Sequence, residues 1–188
     1  MTDPKTLMQL SGADTSPPKM ADAALLIIDM QNEYLDGPLT LPDAAPAIER
    51  AAGLLALARA EGAPVVHVAH KGGAGSLFDR DAARGAIVDA MAPKDGEPVV
   101  EKGLPNAFAG TDLQARLAEI GRKELVIVGF MSHMCVSATA RAALGVEPAD
   151  VLTRVSEYVP ELVHFIEAII DKGFAYESNG TVNFATAA

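Results

Sequence analysis

Ala23 to Ile28 is an unbroken apolar run closed by Asp29, the pattern of a strand buried on both faces of a parallel sheet. A loop containing Gly37 and Pro38 leads to Pro42. The segment DAAPAIERAAGLLALARAEG then places Ile48, Ala52 and Leu55 at helical spacing, with Asp43 as the expected N-cap and Gly62 as the stop. Pro64 to Ala69 reads as a second strand and the Gly-rich stretch Lys71 to Ser76 as a loop. A short third strand, Pro98 to Glu101, delivers Lys102 at its end. Thr111 and Gln114 have capping-box spacing for a helix through Leu113, Leu117 and Ile120 that stops near Gly121. Glu124 to Gly129 is a fourth apolar strand, followed by a turn of small residues and a helix running to Gly145. Strands alternating with helices across short loops predict an α/β fold, a Rossmann-like parallel sheet flanked by helices. Ligands of such sheets bind beyond the carboxyl ends of the strands, where Asp29, Lys102 and Cys135 all fall.

Composition narrows the function. At 188 residues the chain is long enough to bury a real core in one domain. Its net charge of −10 and pI near 4.8 repel phosphate backbones and anionic lipid, so neither nucleic acid nor membrane is an expected partner. One cysteine excludes an intrachain disulfide framework and fits a reducing compartment. Residues 1–22 read as a surface arm without a signal h-region, and the apolar runs are too short to span a bilayer. A cytoplasmic location is therefore expected.

The lone thiol needs an explanation. A nucleophilic cysteine must reach the thiolate, and a strand-to-helix turn beside Lys102 is a setting that favours it. Asp29 at the same sheet edge could take the thiol proton. Each residue has a bland alternative: Cys135 as a small buried hydrophobe, Asp29 as a turn residue, Lys102 as a solvated charge. Their convergence favours chemistry. His133 could form a dyad with Cys135, but the turn is expected to point the two apart. His67 and His70 share no strand face, which argues against a metal site there. The glycines after the second strand do not complete a dinucleotide fingerprint and suggest a mobile substrate loop. Tyr34 and Phe108 suit pocket walls or core equally.

The stretches LLIIDMQNEYL, VVHVAHKGGAGSLFDRDAARG, VVEKGLPNAF and VIVGFMSHMCVSATARAAL resemble, in order and spacing, the isochorismatase-like cysteine hydrolases, a family that includes nicotinamidases and carbamoyl-amide hydrolases. The resemblance covers residues 1–144, with 23–144 as the hydrolase core. It implies Asp29 as general base, Lys102 as electrostatic partner and Cys135 as nucleophile. It also implies a cis peptide between Phe130 and Met131, with the backbone N–H groups of Met131 and Cys135 as an oxyanion hole; Gln31, Tyr34 and Phe108 are the candidate substrate contacts. The nicotinamidases' Asp-x-His metal motif is replaced here by His67-Val68-Ala69-His70, so neither metal nor cofactor is expected. The cysteine favours hydrolysis of a small amide or carbamoyl C–N bond through an acyl-enzyme. A non-catalytic binding or scaffold module, or an isochorismatase-type vinyl-ether hydrolase, are the alternatives. The expected partners are a small-molecule substrate and further copies of the chain.

Beyond Leu144 the pattern changes, and residues 145–188 form an atypical C-terminal segment in place of the family's last strand-helix units. About 145–186 resemble an internal piece of cysteinyl-tRNA synthetase, without that enzyme's nucleotide-binding signatures. Pro160 to Lys172 is patterned as an amphipathic helix, expected to dock on the sheet, and FAYES-NG-TVNFA as a hairpin about an Asn-Gly turn. Residues 147–150 read as a linker.

Overall fold

In the computed structural model, residues 10–12, 18–145, 175–178 and 181–184 are described. The chain divides into two compact units, Met1–Val146 and Glu147–Ala188. In the first, four strands form a wholly parallel sheet: β1 (Ala23–Ile28), β2 (Val65–His70), β3 (Val99–Lys102) and β4 (Glu124–Gly129), in the order β3-β2-β1-β4. The connections carry α1 (Ala44–Ala60) and α2 (Leu113–Ile120), and α3 (Ser137–Ala143) follows β4. This is the α/β arrangement expected from the alternation of apolar runs and helical periodicities.

All six residues of β1 are buried, because the strand is central and both faces are covered. Leu25 and Ile27 face a core completed by Ile48, Ala51, Leu55 and Ala58 of α1. Leu26 and Ile28 face the other way, joining Val66, Val68, Val100, Leu113 and Cys135. Each fully buried Leu, Ile or Val contributes about 1.5–3 kcal/mol, so the alternation along one strand anchors both layers. Cys135 thereby belongs to the layer beneath α2.

Two strands begin one residue later than predicted. Pro64 and Pro98 precede β2 and β3, since proline has no N–H to give a ladder. Their carbonyls are used instead, accepting from the N–H groups of Leu25 and His67, each at 2.9 Å. The shift extends β2 through His70 and β3 through Lys102, and places these two residues opposite each other in the parallel register.

The helix ends differ from expectation. Asp43 does precede α1, but with a left-handed backbone (φ 57°) and no side-chain capping bond. The Thr111/Gln114 capping box is not formed. Asp112 is the N-cap of α2, while the Thr111 hydroxyl accepts from the N–H of Leu113 at 3.2 Å and donates to the carbonyl of Ala107. Gly62 and Gly121 take the positive φ values, 66° and 67°, that end α1 and α2.

In the second unit, β5 (Ala175–Ser178) and β6 (Thr181–Phe184) pair antiparallel, with Ser178 opposite Thr181, as the Asn179-Gly180 signal requires. The predicted helix at 160–172 and linker at 147–150 lie outside the described residues. No helix among the described residues is long and apolar enough to cross a membrane.

Candidate active site

Three chain segments meet at the carboxyl edge of the sheet. β1 ends in Asp29, a fully buried residue whose φ of 52° turns the chain sharply away from the strand direction. A non-glycine residue held left-handed and buried is costly, and such outliers concentrate at functional sites. β3 ends in Lys102, 2% exposed. After β4, a cis peptide joins Phe130 to Met131, as the resemblance implied, and leads into a π-helical turn at Ser132–Val136 that carries Cys135. The π turn, not the first turn of α3, is what positions the thiol.

Lys102 is the hub. Its Nζ lies 2.7 Å from Asp29 Oδ2, donates to Cys135 Sγ at 3.3 Å and approaches His70 Nδ1 at 3.2 Å. Asp29, His70 and Cys135 bring their donor atoms within 4.8 Å of one another, a set that could ligate a metal. The ammonium of Lys102 already stands among those atoms and supplies the positive charge.

Burial lifts the Asp29 carboxyl above the ordinary carboxylate value, while Lys102 pulls in the other direction. That raises its basicity, as a proton acceptor requires. Cys135 differs from the expected ready thiolate. Burial, reinforced by the Asp29 charge, pushes its thiol up despite Lys102. Both acids of the pair are thus shifted upward by burial, with the Lys102 amine beside them. Burial and then Lys102 hold His70 below the usual imidazole value.

The other sequence candidates separate. Gln31 is fully buried, and its amide is engaged with backbone: Nε2 donates to the carbonyls of His70 (2.9 Å) and Gly85 (2.7 Å), and Oε1 accepts from the N–H of His70 (2.8 Å). Tyr34 is buried near the site, its ring 5.3 Å from Phe78 and 5.2 Å from Phe130. Its hydroxyl is pushed up by burial and then by the charges of Asp29 and Cys135. Phe108 is half-buried. It packs against the core beneath α2 and lines a concavity with Ala24, Leu117 and Leu125 near the opposite end of β1. His133 is exposed, and His67 turns to the other side of β2, 3.1 Å from Glu97.

The Gly-rich loop expected to be mobile carries hydrogen bonds at several of its residues. Arg84 Nη2 donates to the carbonyls of Gly75 and Ser76, both at 2.6 Å, and Asp79 accepts from the N–H of Gly75 at 2.7 Å. A side chain at Gly72 would meet the carbonyl oxygen of Leu77 at 1.8 Å, which explains that glycine. A concavity of about 380 Å3 beside this loop is lined by Asn32, Asp36, Gly37, Pro38, Ala83 and Arg84. Two groups escaped sequence reasoning, the buried Glu33 and the half-buried His70. Glu33 accepts from the N–H of Phe78 at 3.2 Å and pairs with Arg84 at 3.7 Å. His70 joins the Lys102 cluster, and the signal that could have found it was its place opposite Lys102 at the ends of adjacent strands.

Comparison with known proteins agrees with this geometry. Residues 23–147 match the isochorismatase domain. The secreted isochorismatase effector of Verticillium dahliae is 42% identical over 131 residues, 69% of either chain. A streptothricin hydrolase of Streptomyces noursei is 40% identical over 121 residues, which cover 64% of this chain and 44% of that one. An isochorismatase crystal structure from Pseudomonas putida superposes with a TM-score of 0.71 at 43% identity, over 76% of this chain and 74% of that one. The N-carbamoylsarcosine amidase of Thermoplasma acidophilum gives 0.60 at 25% identity, over 76% and 93%. Separately, residues 110–188 match the class I (C) tRNA synthetase catalytic domain. The cytoplasmic cysteine–tRNA ligase of Homo sapiens is 64% identical over 45 residues, only 6% of that enzyme. With the family domain matched over most of the chain and the sheet, cis peptide and buried Asp-Lys-Cys cluster in place, the chain belongs to the isochorismatase family of hydrolases.

Proposed function

We propose that the protein is a metal-independent cysteine hydrolase acting on a small amide or carbamoyl C–N bond. The observation that carries this reading is Lys102 Nζ lying 2.7 Å from Asp29 and 3.3 Å from Cys135 in a buried site. Asp29 takes the thiol proton as Sγ attacks the carbonyl carbon, giving a tetrahedral oxyanion that accepts from the backbone N–H groups of Met131 and Cys135. Each such donor typically stabilises the transition state by about 3–4 kcal/mol. Collapse breaks the C–N bond, the proton passes from Asp29 to the leaving nitrogen, and a thioester remains. Water, deprotonated by Asp29, then releases the acid and returns the thiol. Lys102 keeps the negative charge, wherever it resides in the Asp29–Cys135 pair, beside a cation.

The streptothricin hydrolase and the N-carbamoylsarcosine amidase among the similar proteins support C–N hydrolysis. The isochorismatases favour isochorismate as the second substrate to test. The deciding experiment screens small amides, carbamoyl amino acids, ureides and isochorismate, then quenches turnover in acid for mass spectrometry. An acyl adduct on Cys135 with an amide or carbamoyl substrate is expected. Turnover of isochorismate alone, without an adduct, would overturn the C–N assignment.

A further inference from the structure

We propose that His70 is a positioning residue whose Nδ1 accepts an N–H of Lys102 and so holds the ammonium in its ion pair with Asp29 and its hydrogen bond to Cys135. An ammonium has three donors and no acceptor. Three partners surround this one, at 2.7 Å (Asp29), 3.2 Å (His70) and 3.3 Å (Cys135). His70 Nδ1 can take this role only as a neutral imidazole carrying its proton on Nε2. The cluster around it, Asp29 from β1, Lys102 from β3 and Cys135 from the π turn, therefore holds the Lys102 charge without a second cation.

Independent contacts hold the imidazole where the bond requires it. The parallel register sets His70 opposite Lys102 at the ends of β2 and β3. Gln31, fully buried, grips both backbone groups of His70, accepting from its N–H at 2.8 Å and donating to its carbonyl at 2.9 Å. β1 has already turned away at Asp29, so this side chain continues the ladder that the strand no longer supplies. Phe78, left-handed at φ 59°, sets its ring 4.9 Å from the imidazole. A buried amide and a strained aromatic thus serve one side chain that touches Lys102. Without the Nδ1 acceptor, the Lys102 ammonium loses one of three fixed directions, and the charge on Cys135 during attack loses part of its stabilisation.

The inference rests on Cys135 being the nucleophile, and the test separates the two claims. Iodoacetamide alkylation of Cys135 is followed by mass spectrometry between pH 5.5 and 8 in the full-length wild type, His70→Phe and His70→Asn, with glutathione as the reference thiol and far-UV circular dichroism confirming each fold. His70→Phe keeps an aromatic ring against Phe78 but has no acceptor, whereas His70→Asn places Oδ1 near the position of Nδ1. With its thiol pushed up by burial, Cys135 should be alkylated more slowly than glutathione at pH 6 and faster as the pH rises to 8, with His70→Phe about tenfold slower than wild type at each pH, the scale of one hydrogen bond to a charged group, and His70→Asn within about threefold of wild type. A Cys135 that takes up neither iodoacetamide at pH 8 nor an acyl group from any amide or carbamoyl substrate of the screen would overturn the nucleophile and this inference with it. A reactive wild type matched at every pH by His70→Phe, or a folded His70→Asn as slow as His70→Phe, would overturn the role of His70 alone.

Discussion

At Asp29 one residue does two jobs that conflict: its carboxylate must be buried beside Lys102, and its backbone must leave the strand at φ 52°. The substitutions that test its chemistry therefore preserve its shape. Asp29→Asn should fold and lose nearly all turnover, by about 10²–10⁴-fold, because an amide cannot accept the thiol proton. Cys135→Ala should abolish turnover while lowering stability by only about 1 kcal/mol, since a small group leaves a small void. Kinetics on a verified substrate with parallel thermal melts check both, and near wild-type rates would remove the residue from the mechanism. Away from the site, Glu97 accepts from Arg59 Nε and Nη2 at 2.8 Å and meets His67 at 3.1 Å, and these bonds, Arg59 foremost, hold its carboxyl down to about 2 from an ordinary 4.5. A carboxyl depressed on folding adds stability that is full above its unfolded value and lost as pH falls through the folded one. Glu97→Gln should therefore destabilise the protein in urea melts at pH 7, and the gap from wild type should narrow between pH 4.5 and 2. Asp29, Lys102 and Cys135 were legible from sequence because each ends a recognisable strand or follows one. His70 was not, because its meaning comes from the strand beside it.

Elements meet most tightly where β1 and β4 end together. Gly129, at the end of β4, has φ 149°, and a Cβ there would stand 2.0 Å from the carbonyl oxygen of Ile28. Gly129→Ala should thus cost about 3 kcal/mol or more through a backbone clash and a φ that L-residues rarely adopt. Its measure is soluble yield and melting temperature, and a stable Gly129→Ala protein would show that the β1–β4 junction can relax. The same junction feeds the cis peptide and the π turn, so a displacement there reaches Cys135 directly. Strand identities were readable because continuous apolar runs have few other solutions in a domain of this size. Their limits were not, since Pro64 and Pro98 contribute carbonyls without entering the ladder. The capping box failed for a related reason: Thr111 spends its hydroxyl on Ala107 and Leu113, one residue ahead of the helix.

For the molecule as a whole, β4 is the open question of the sheet. Among the described strands it pairs only with β1, and its residues from Leu125 to Gly129 are half-buried, whereas β1 is buried throughout. An apolar edge with free ladder positions is an association site unless charge opposes it. A net charge of −10 does so at neutral pH. Light scattering should therefore be lowest near pH 8 and rise as the solution approaches pH 4.8, and scattering independent of pH would show the edge to be protected by other means. The sequence alone determined the α/β class, the order of the elements, the pairing of β5 with β6 and the three residues that meet at the carboxyl edge of the sheet, because hydrophobic period, turn chemistry and residue type are local properties. Only the tertiary structure decided that Lys102 faces His70, that Gln31 completes a ladder, that Phe108 packs beneath α2 and that the Cys135 thiol is pushed up. Those outcomes depend on register across strands and on burial, which no stretch of sequence carries by itself.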